Sequence, residues 1–248
     1  MIRWFEHRQV YAPSCEIEFA PERQYEDIRL EASDGVKLHG WHFPGSARKH
    51  LAFLIFHGNA GNICHRLHFY DTWLDLGVSV FAFDYRGYGQ SEGTPSEAGT
   101  YLDGQAAYAW LRGRGFAPEN IILLGKSLGG GIASEIALRE KVGGLILQNT
   151  FSSIPDVGRE LFPFLPVRLI GSIRYETVKK LPRIHVPVLI MHSRGDDFIR
   201  YSHAERNFAA ANEPRMLWEI YGTHNGTIEA DRAHYLEGLR TFLDRHFK

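Results

Sequence analysis

Six short runs rich in β-branched, leucine and aromatic residues recur along the chain: Leu51 to Phe56, Val78 to Tyr85, Ile121 to Leu124, Leu145 to Gln148, Val188 to His192 and Met216 to Tyr221. Between them lie amphipathic stretches long enough to cross a sheet, at Asn62 to Leu76, Ser96 to Arg114, Leu128 to Glu140, Ser202 to Ala211 and Ile228 to Phe247. Strands that are apolar on both faces, separated by crossover-length helices, specify an α/β fold with a mostly parallel central sheet and helices on both faces. Upstream, Tyr25 to Ala32 and Val36 to Phe43 flank the turn Ser33-Asp34-Gly35, the pattern of an antiparallel hairpin at the sheet edge.

At 248 residues with 44% hydrophobic content the chain can bury a sizeable core. The reading is an N-terminal arm over 1–24 and one domain over 25–248. Between Phe151 and Pro187 the prolines 155, 163, 166 and 182 interrupt an apolar cluster from Leu161 to Ile170. That interval, about 151–186, reads either as a small lid insertion over a site or as an irregular crossover completing the core.

A net charge of −1 supplies no global attraction to nucleic acid. Two cysteines, Cys15 and Cys64, are too few for a disulfide framework and carry no zinc-ligand spacing. The apolar runs are of strand length, far below a membrane span, and Met1 to Val10 lacks the apolar core of a secretory signal, so a cytoplasmic location is expected.

Gly125-Lys126-Ser127-Leu128-Gly129 follows the third apolar run and opens a segment beginning Gly130-Gly131. A serine at a sharp strand-to-helix turn needs small neighbours, because strand and helix nearly touch there, and the helix N-terminus beside it favours developing negative charge. A phosphate-binding loop also ends in Gly-Lys-Ser, but its first glycine would fall at Asn120 and its loop on the apolar Ile121 to Leu124. Gly87-x-Gly89 is no dinucleotide fingerprint either, since the third glycine would be Glu92.

From Tyr25 onward the chain resembles the α/β-hydrolase superfamily, in the branch of small serine esterases that includes acyl-protein thioesterases. Four segments carry the resemblance: Phe56-His57-Gly58-Asn59-Ala60-Gly61-Asn62, Asp84-Tyr85-Arg86-Gly87-Tyr88-Gly89, Gly125 to Gly130 and His192-Ser193-Arg194-Gly195-Asp196-Asp197. It implies an α/β-hydrolase fold in which Ser127 is the nucleophile. A serine hydroxyl needs a histidine base and a carboxylate orienting that base, and this fold supplies them in the chain order serine, acid, histidine. Asp196, past the run Val188 to His192, and His224, in Gly222-Thr223-His224-Asn225-Gly226 past the last run, occupy those places. Asp197 is the rival acid; the family spacing to an aliphatic residue, here Ile199, selects Asp196. His192 and His203 read as supporting or surface residues, and Arg86 as a brace between loops.

By the same resemblance, the backbone N–H groups of Leu128 and Asn59 form the oxyanion hole, with Ala60 as the alternative to Asn59. The expected activity is hydrolysis of carboxylic esters or thioesters through an acyl-enzyme, on a small-molecule or acylated substrate, with no metal or organic cofactor. The alternatives are a peptidase or amidase on the same three residues and a non-catalytic binding module.

Overall fold

The computed structural model describes Ile2 to Phe247. Its central strands are buried along their whole length, because alternate residues of each face opposite helical layers. We number the strands of the main sheet β1 (Glu26–Glu31), β2 (Lys37–Phe43), β3 (Arg48–Phe56), β4 (Val78–Phe83), β5 (Ile121–Lys126), β6 (Gly144–Gln148), β7 (Val188–Ser193) and β8 (Arg215–Ile220). Their order across the sheet is β8-β7-β6-β5-β3-β4-β2-β1. The pairings from β4 through β3 to β8 are parallel, and the β1–β2 hairpin joins antiparallel at the edge.

Along β3, Ala52, Leu54 and Phe56 face one core, with Tyr108 and Leu111 of the helix Glu97–Gly113 and Ile132 and Ile136 of the helix Leu128–Arg139. Leu51, Phe53 and Ile55 face the other, with Phe69 and Trp73 of Leu67–Leu74 and Leu239 and Phe242 of Arg232–His246. The result is three layers, helix on sheet on helix.

Two of the helices expected from the sequence are broken. In place of one helix over Asn62 to Leu76, a 3₁₀ turn Ile63–Arg66 precedes Leu67–Leu74. Asn62 Oδ1 accepts from the N–H of Cys64 and His65 Nδ1 accepts from the N–H of Asn62, a reciprocal cap that starts the turn early. In place of one helix over Ile228 to Phe247, Thr227–Ala230 and Arg232–His246 are separated at Asp231. Asp231 leaves helical dihedrals so that its carboxylate can cap the N–H of His234.

The N-terminal arm contains a helix, Ile2–Val10, which the sequence reading did not anticipate, and then Ala12–Pro13 pairs in parallel with Ala60–Gly61. Tyr11 is buried, its hydroxyl sharing a hydrogen bond with that of Tyr175 at 2.8 Å. Between β6 and β7 three short helices, Ile154–Leu161, Val167–Ile170 and Thr177–Lys180, replace a plain crossover. No helix among the described residues is long and apolar enough to cross a membrane.

Arg86 lies just past β4 and is buried with Asp103, a fully buried residue of the helix Glu97–Gly113. Its Nη2 donates to Asp103 Oδ1 at 2.7 Å, and its Nη1 donates to Asp34 Oδ2 in the hairpin turn at 2.7 Å. The guanidinium thus ties hairpin, helix and post-β4 loop together. Arg86→Met strands a buried carboxylate and is expected to cost about 3–5 kcal/mol. Urea unfolding checks this, and Asp103→Leu in the same background should recover part of the loss.

Candidate active site

β5 ends on Lys126 and the helix Leu128–Arg139 begins on Leu128, which leaves Ser127 alone in the turn. Its backbone sits at φ 53° and ψ −118°, a left-handed conformation that costs a non-glycine residue on the order of 1–3 kcal/mol. The turn is held from both sides: the N–H of Ser127 donates to Gln148 O at 3.0 Å, and the Thr150 hydroxyl donates to Ser127 O at 2.6 Å. A Cβ on Gly129 would fall onto the Phe56 carbonyl, and one on Gly130 onto the Thr150 side chain. Glycine at these positions lets the helix start press against the ends of β3 and β6.

Asp196 and His224 come together across the loops after β7 and β8. His224 Nδ1 lies 2.8 Å from Asp196 Oδ2. The other oxygen of Asp196 accepts the N–H groups of Phe198 at 2.9 Å and Ile199 at 2.7 Å. Burial works against ionisation of Asp196, but the hydrogen bond and charge of His224 and these two N–H donors outweigh it and hold the carboxyl below the usual range. Asp197 does something different: its Oδ1 accepts the backbone N–H of His224 at 3.0 Å. The two neighbouring carboxylates therefore hold the ring and the backbone of one histidine.

Among the described residues no hydrogen bond joins the Ser127 hydroxyl to His224. The two are linked through their neighbours. Lys126 Nζ donates to Asn225 Oδ1 at 2.7 Å. Asn149, held at φ 44°, donates from Nδ2 to His224 O at 3.2 Å and accepts the N–H of Ser193 at 3.1 Å, so it ties the histidine loop to the end of β7. Neither residue was singled out from sequence as a support. The available signal for Asn149 was the polar run Gln148-Asn149-Thr150 directly after an apolar strand.

Lys126 is buried with no carboxylate in hydrogen-bond contact among the described residues, its ammonium 5.5 Å from the centre of the Phe69 ring. Burial, seconded by the charge of Arg66 and opposed by Asp196 and Glu229, pulls its pKa down to about 7 from the ordinary 10.5. Between these values the unfolded chain binds the extra proton, so this lysine makes stability rise with pH from about 7 to 10. Lys126→Met is expected to flatten that rise, read as the midpoint of urea unfolding across the same pH range.

His57 does not approach the base position. It is buried beside Tyr85, ring centroids 4.2 Å apart, with Nδ1 2.7 Å from Gly58 O. Tyr85 donates to His57 O at 3.0 Å and Tyr88 donates to Asn59 O at 2.8 Å, which fixes the loop after β3 by its carbonyls. The N–H of Leu128 has no acceptor within its own helix, being its first, and the N–H of Asn59 has no backbone acceptor among the described residues. His192 and His203 are both fully buried and neither is a surface residue: the first meets Ile199 O through Nε2 at 2.9 Å, and the second accepts the N–H of Ser152 at Nδ1 at 3.0 Å.

Ser127, Leu128 and Asn59 open onto a cavity of about 330 Å³. The short helices between β6 and β7 wall it with Ile154, Val157, Leu161 and Val167, the N-terminal helix with Phe5 and Val10, and the acid loop with Phe198 and Ile199. The edge of Phe198 also meets the ring of His224, with centroids 5.4 Å apart. Among the described residues no group of three or more histidine, cysteine or acidic side chains could hold a metal ion.

Residues 52–169 match the sequence profile of the alpha/beta hydrolase fold. An uncharacterized protein of Mycobacterium tuberculosis is 36% identical over 220 residues, covering 88% of this chain and 78% of its own. The alpha/beta hydrolase domain-containing protein WAV2 of Arabidopsis thaliana is 34% identical, covering 98% of this chain and 88% of its own. Among solved structures, an esterase of Pyrococcus furiosus superposes with a TM-score of 0.78 at 22% identity, over 97% of this chain and 98% of its own. On fold, sequence profile and relatives alike, the chain belongs to the alpha/beta hydrolase family.

Proposed function

We propose that this protein is a serine hydrolase that cleaves carboxylic esters or thioesters of apolar acyl groups through an acyl-enzyme intermediate. The observation that carries the reading is Ser127, strained at φ 53° at the mouth of an apolar cavity, with the His224–Asp196 pair on the adjoining loops. Solved esterases of the same fold support it by analogy.

In this reading Asp196 fixes the proton of His224 on Nδ1, leaving Nε2 to take the Ser127 proton as the hydroxyl oxygen attacks the acyl carbonyl. The carbonyl oxygen turns anionic against the N–H groups of Leu128 and Asn59. His224 then protonates the departing alcohol or thiol, and water, deprotonated by the same nitrogen, releases the acid from Ser127. Substrate closure must bring Ser127 and His224 into hydrogen-bond contact, a tightening common on substrate binding.

A peptidase that holds a free amine needs an unengaged carboxylate near the serine. Glu6 lines the cavity, but its carboxylate is occupied by the N–H and hydroxyl of Ser172 and the N–H of Ile173, which favours esters over amino-terminal peptides.

A p-nitrophenyl ester series from acetyl to palmitoyl, with fluorophosphonate labelling, tests the reading. Each buried methylene is worth about 0.8 kcal/mol, so kcat/KM for octanoyl esters should exceed that for acetyl esters by at least about tenfold. Acetyl esters far outpacing octanoyl esters would remove the apolar acyl pocket. No labelling and no turnover would remove the hydrolase.

A further inference from the structure

The wall of the cavity is apolar on its outer side too. Phe164 is 97% exposed and Leu169 is 86% exposed, and Trp4, Phe5, Leu161 and Leu165 are exposed with them. An apolar cluster of this kind on one surface marks an interaction site more often than chance exposure does. The N-terminal helix and the segment from Gly158 to Arg174 form one surface. The ring of Phe5 meets that of Phe162 edge-on at 6.1 Å, and Glu6 accepts the N–H groups of Ser172 at 2.8 Å and Ile173 at 3.0 Å.

The charge of this surface departs from that of the chain. Over 2–10 and 158–174 there are five arginines, at 3, 8, 159, 168 and 174, against two glutamates, in a protein whose net charge is −1. Both glutamates are turned to internal partners, Glu6 as above and Glu160 toward His203 and Arg206 at 3.4 and 3.6 Å. Arg3 and Arg8 are exposed, as are Arg159 and Arg168, which face the Asp156 carboxylate at 4.0 and 2.7 Å, and the Arg8 guanidinium stacks over the Trp4 ring at 4.7 Å. Indole and guanidinium side by side at the margin of an aliphatic patch suit the headgroup level of a bilayer, where the ring sits half-immersed and the charge meets phosphate.

We infer that this face docks on a lipid bilayer carrying anionic headgroups, inserting Phe164 and Leu169 and presenting the mouth of the Ser127 cavity to the membrane. A membrane would then be the source of the apolar acyl group, a step that rests on the proposed hydrolase reading, while docking itself does not. Arginines within a Debye length of an anionic surface are drawn to it through screened charge, so attachment is salt-sensitive.

Co-sedimentation of the full chain with vesicles of phosphatidylcholine, alone or mixed with phosphatidylglycerol, tests the inference. Binding is expected to the anionic vesicles and to weaken with salt. Phe164→Glu with Leu169→Glu should lower it at least tenfold while hydrolysis of soluble p-nitrophenyl acetate and the thermal midpoint stay unchanged, since neither side chain lines the cavity. Absence of binding, equal binding to both vesicle types, or unaltered binding by the double variant overturns it. So does a double variant that only breaks a concentration-dependent dimer, which would assign the face to a second copy. Vesicle binding without any ester hydrolysis would keep the docking surface and discard the hydrolase reading.

Discussion

On the proposed reading, Ser127→Ala is expected to lower kcat for p-nitrophenyl esters by on the order of 10⁶-fold, leaving only the catalysis that binding and backbone N–H donors provide. Stability separates loss of the nucleophile from loss of the fold. Alanine has the same Cβ at φ 53°, so the strain stays and the unfolding midpoint should match that of the parent. Glycine at this position has no such strain, and Ser127→Gly should be the more stable of the two by about 1 kcal/mol or more, a shift of a few degrees, while being equally inactive. On the proposed reading, keeping a strained serine for catalysis gives up that stability. Undiminished turnover by Ser127→Ala would move the chemistry to another residue, and a glycine variant less stable than alanine would remove the strain from the account.

The turn that holds Ser127 was legible because its requirements are local. An apolar strand, a glycine on either side and a glycine-rich helix start all fall within Ile121 to Gly131. The order of the sheet was partly legible for a related reason: strands buried on both faces read as continuous apolar runs, and β4, β5, β6 and β7 all do. The N-terminal helix was not, since Arg3, Glu6, His7 and Arg8 mask its amphipathic character and its partners lie more than 150 residues away, at Phe162 and Ser172. The two-residue pairing of Ala12–Pro13 with Ala60–Gly61 has no periodicity to read. Lys126 and Asn149 illustrate the same limit inside the candidate site. Each acts across the sheet on the loop around His224, and a contact between residues 99 or 75 positions apart leaves no trace in either local segment.

Asp196→Asn and Asp197→Asn are expected to part by orders of magnitude, although the residues are adjacent and nearly isosteric changes are made in both. An amide at 196 offers its N–H₂ or its carbonyl to His224 Nδ1, and on the proposed reading the amide cannot stabilise the imidazolium formed as Ser127 gives up its proton. Held in the wrong tautomer or left without a counter-charge, the histidine loses its role as base, and kcat should fall on the order of 10⁴-fold. At 197 the contact is to the N–H of His224, and an asparagine Oδ1 still accepts that bond at reduced strength, so the expected loss is on the order of tenfold. The pH response gives a second reading. Because the Asp196 carboxyl is held below its ordinary range, its contribution to stability is complete above the unfolded carboxylate value near 3.9 and is lost as pH falls through the lower folded value. Acid unfolding of Asp196→Asn should therefore lack that component, with the difference from the parent confined to pH below about 4. Equal losses of kcat in the two variants would mean that positioning of the histidine loop, and no polarisation of its ring, is what the acid pair supplies.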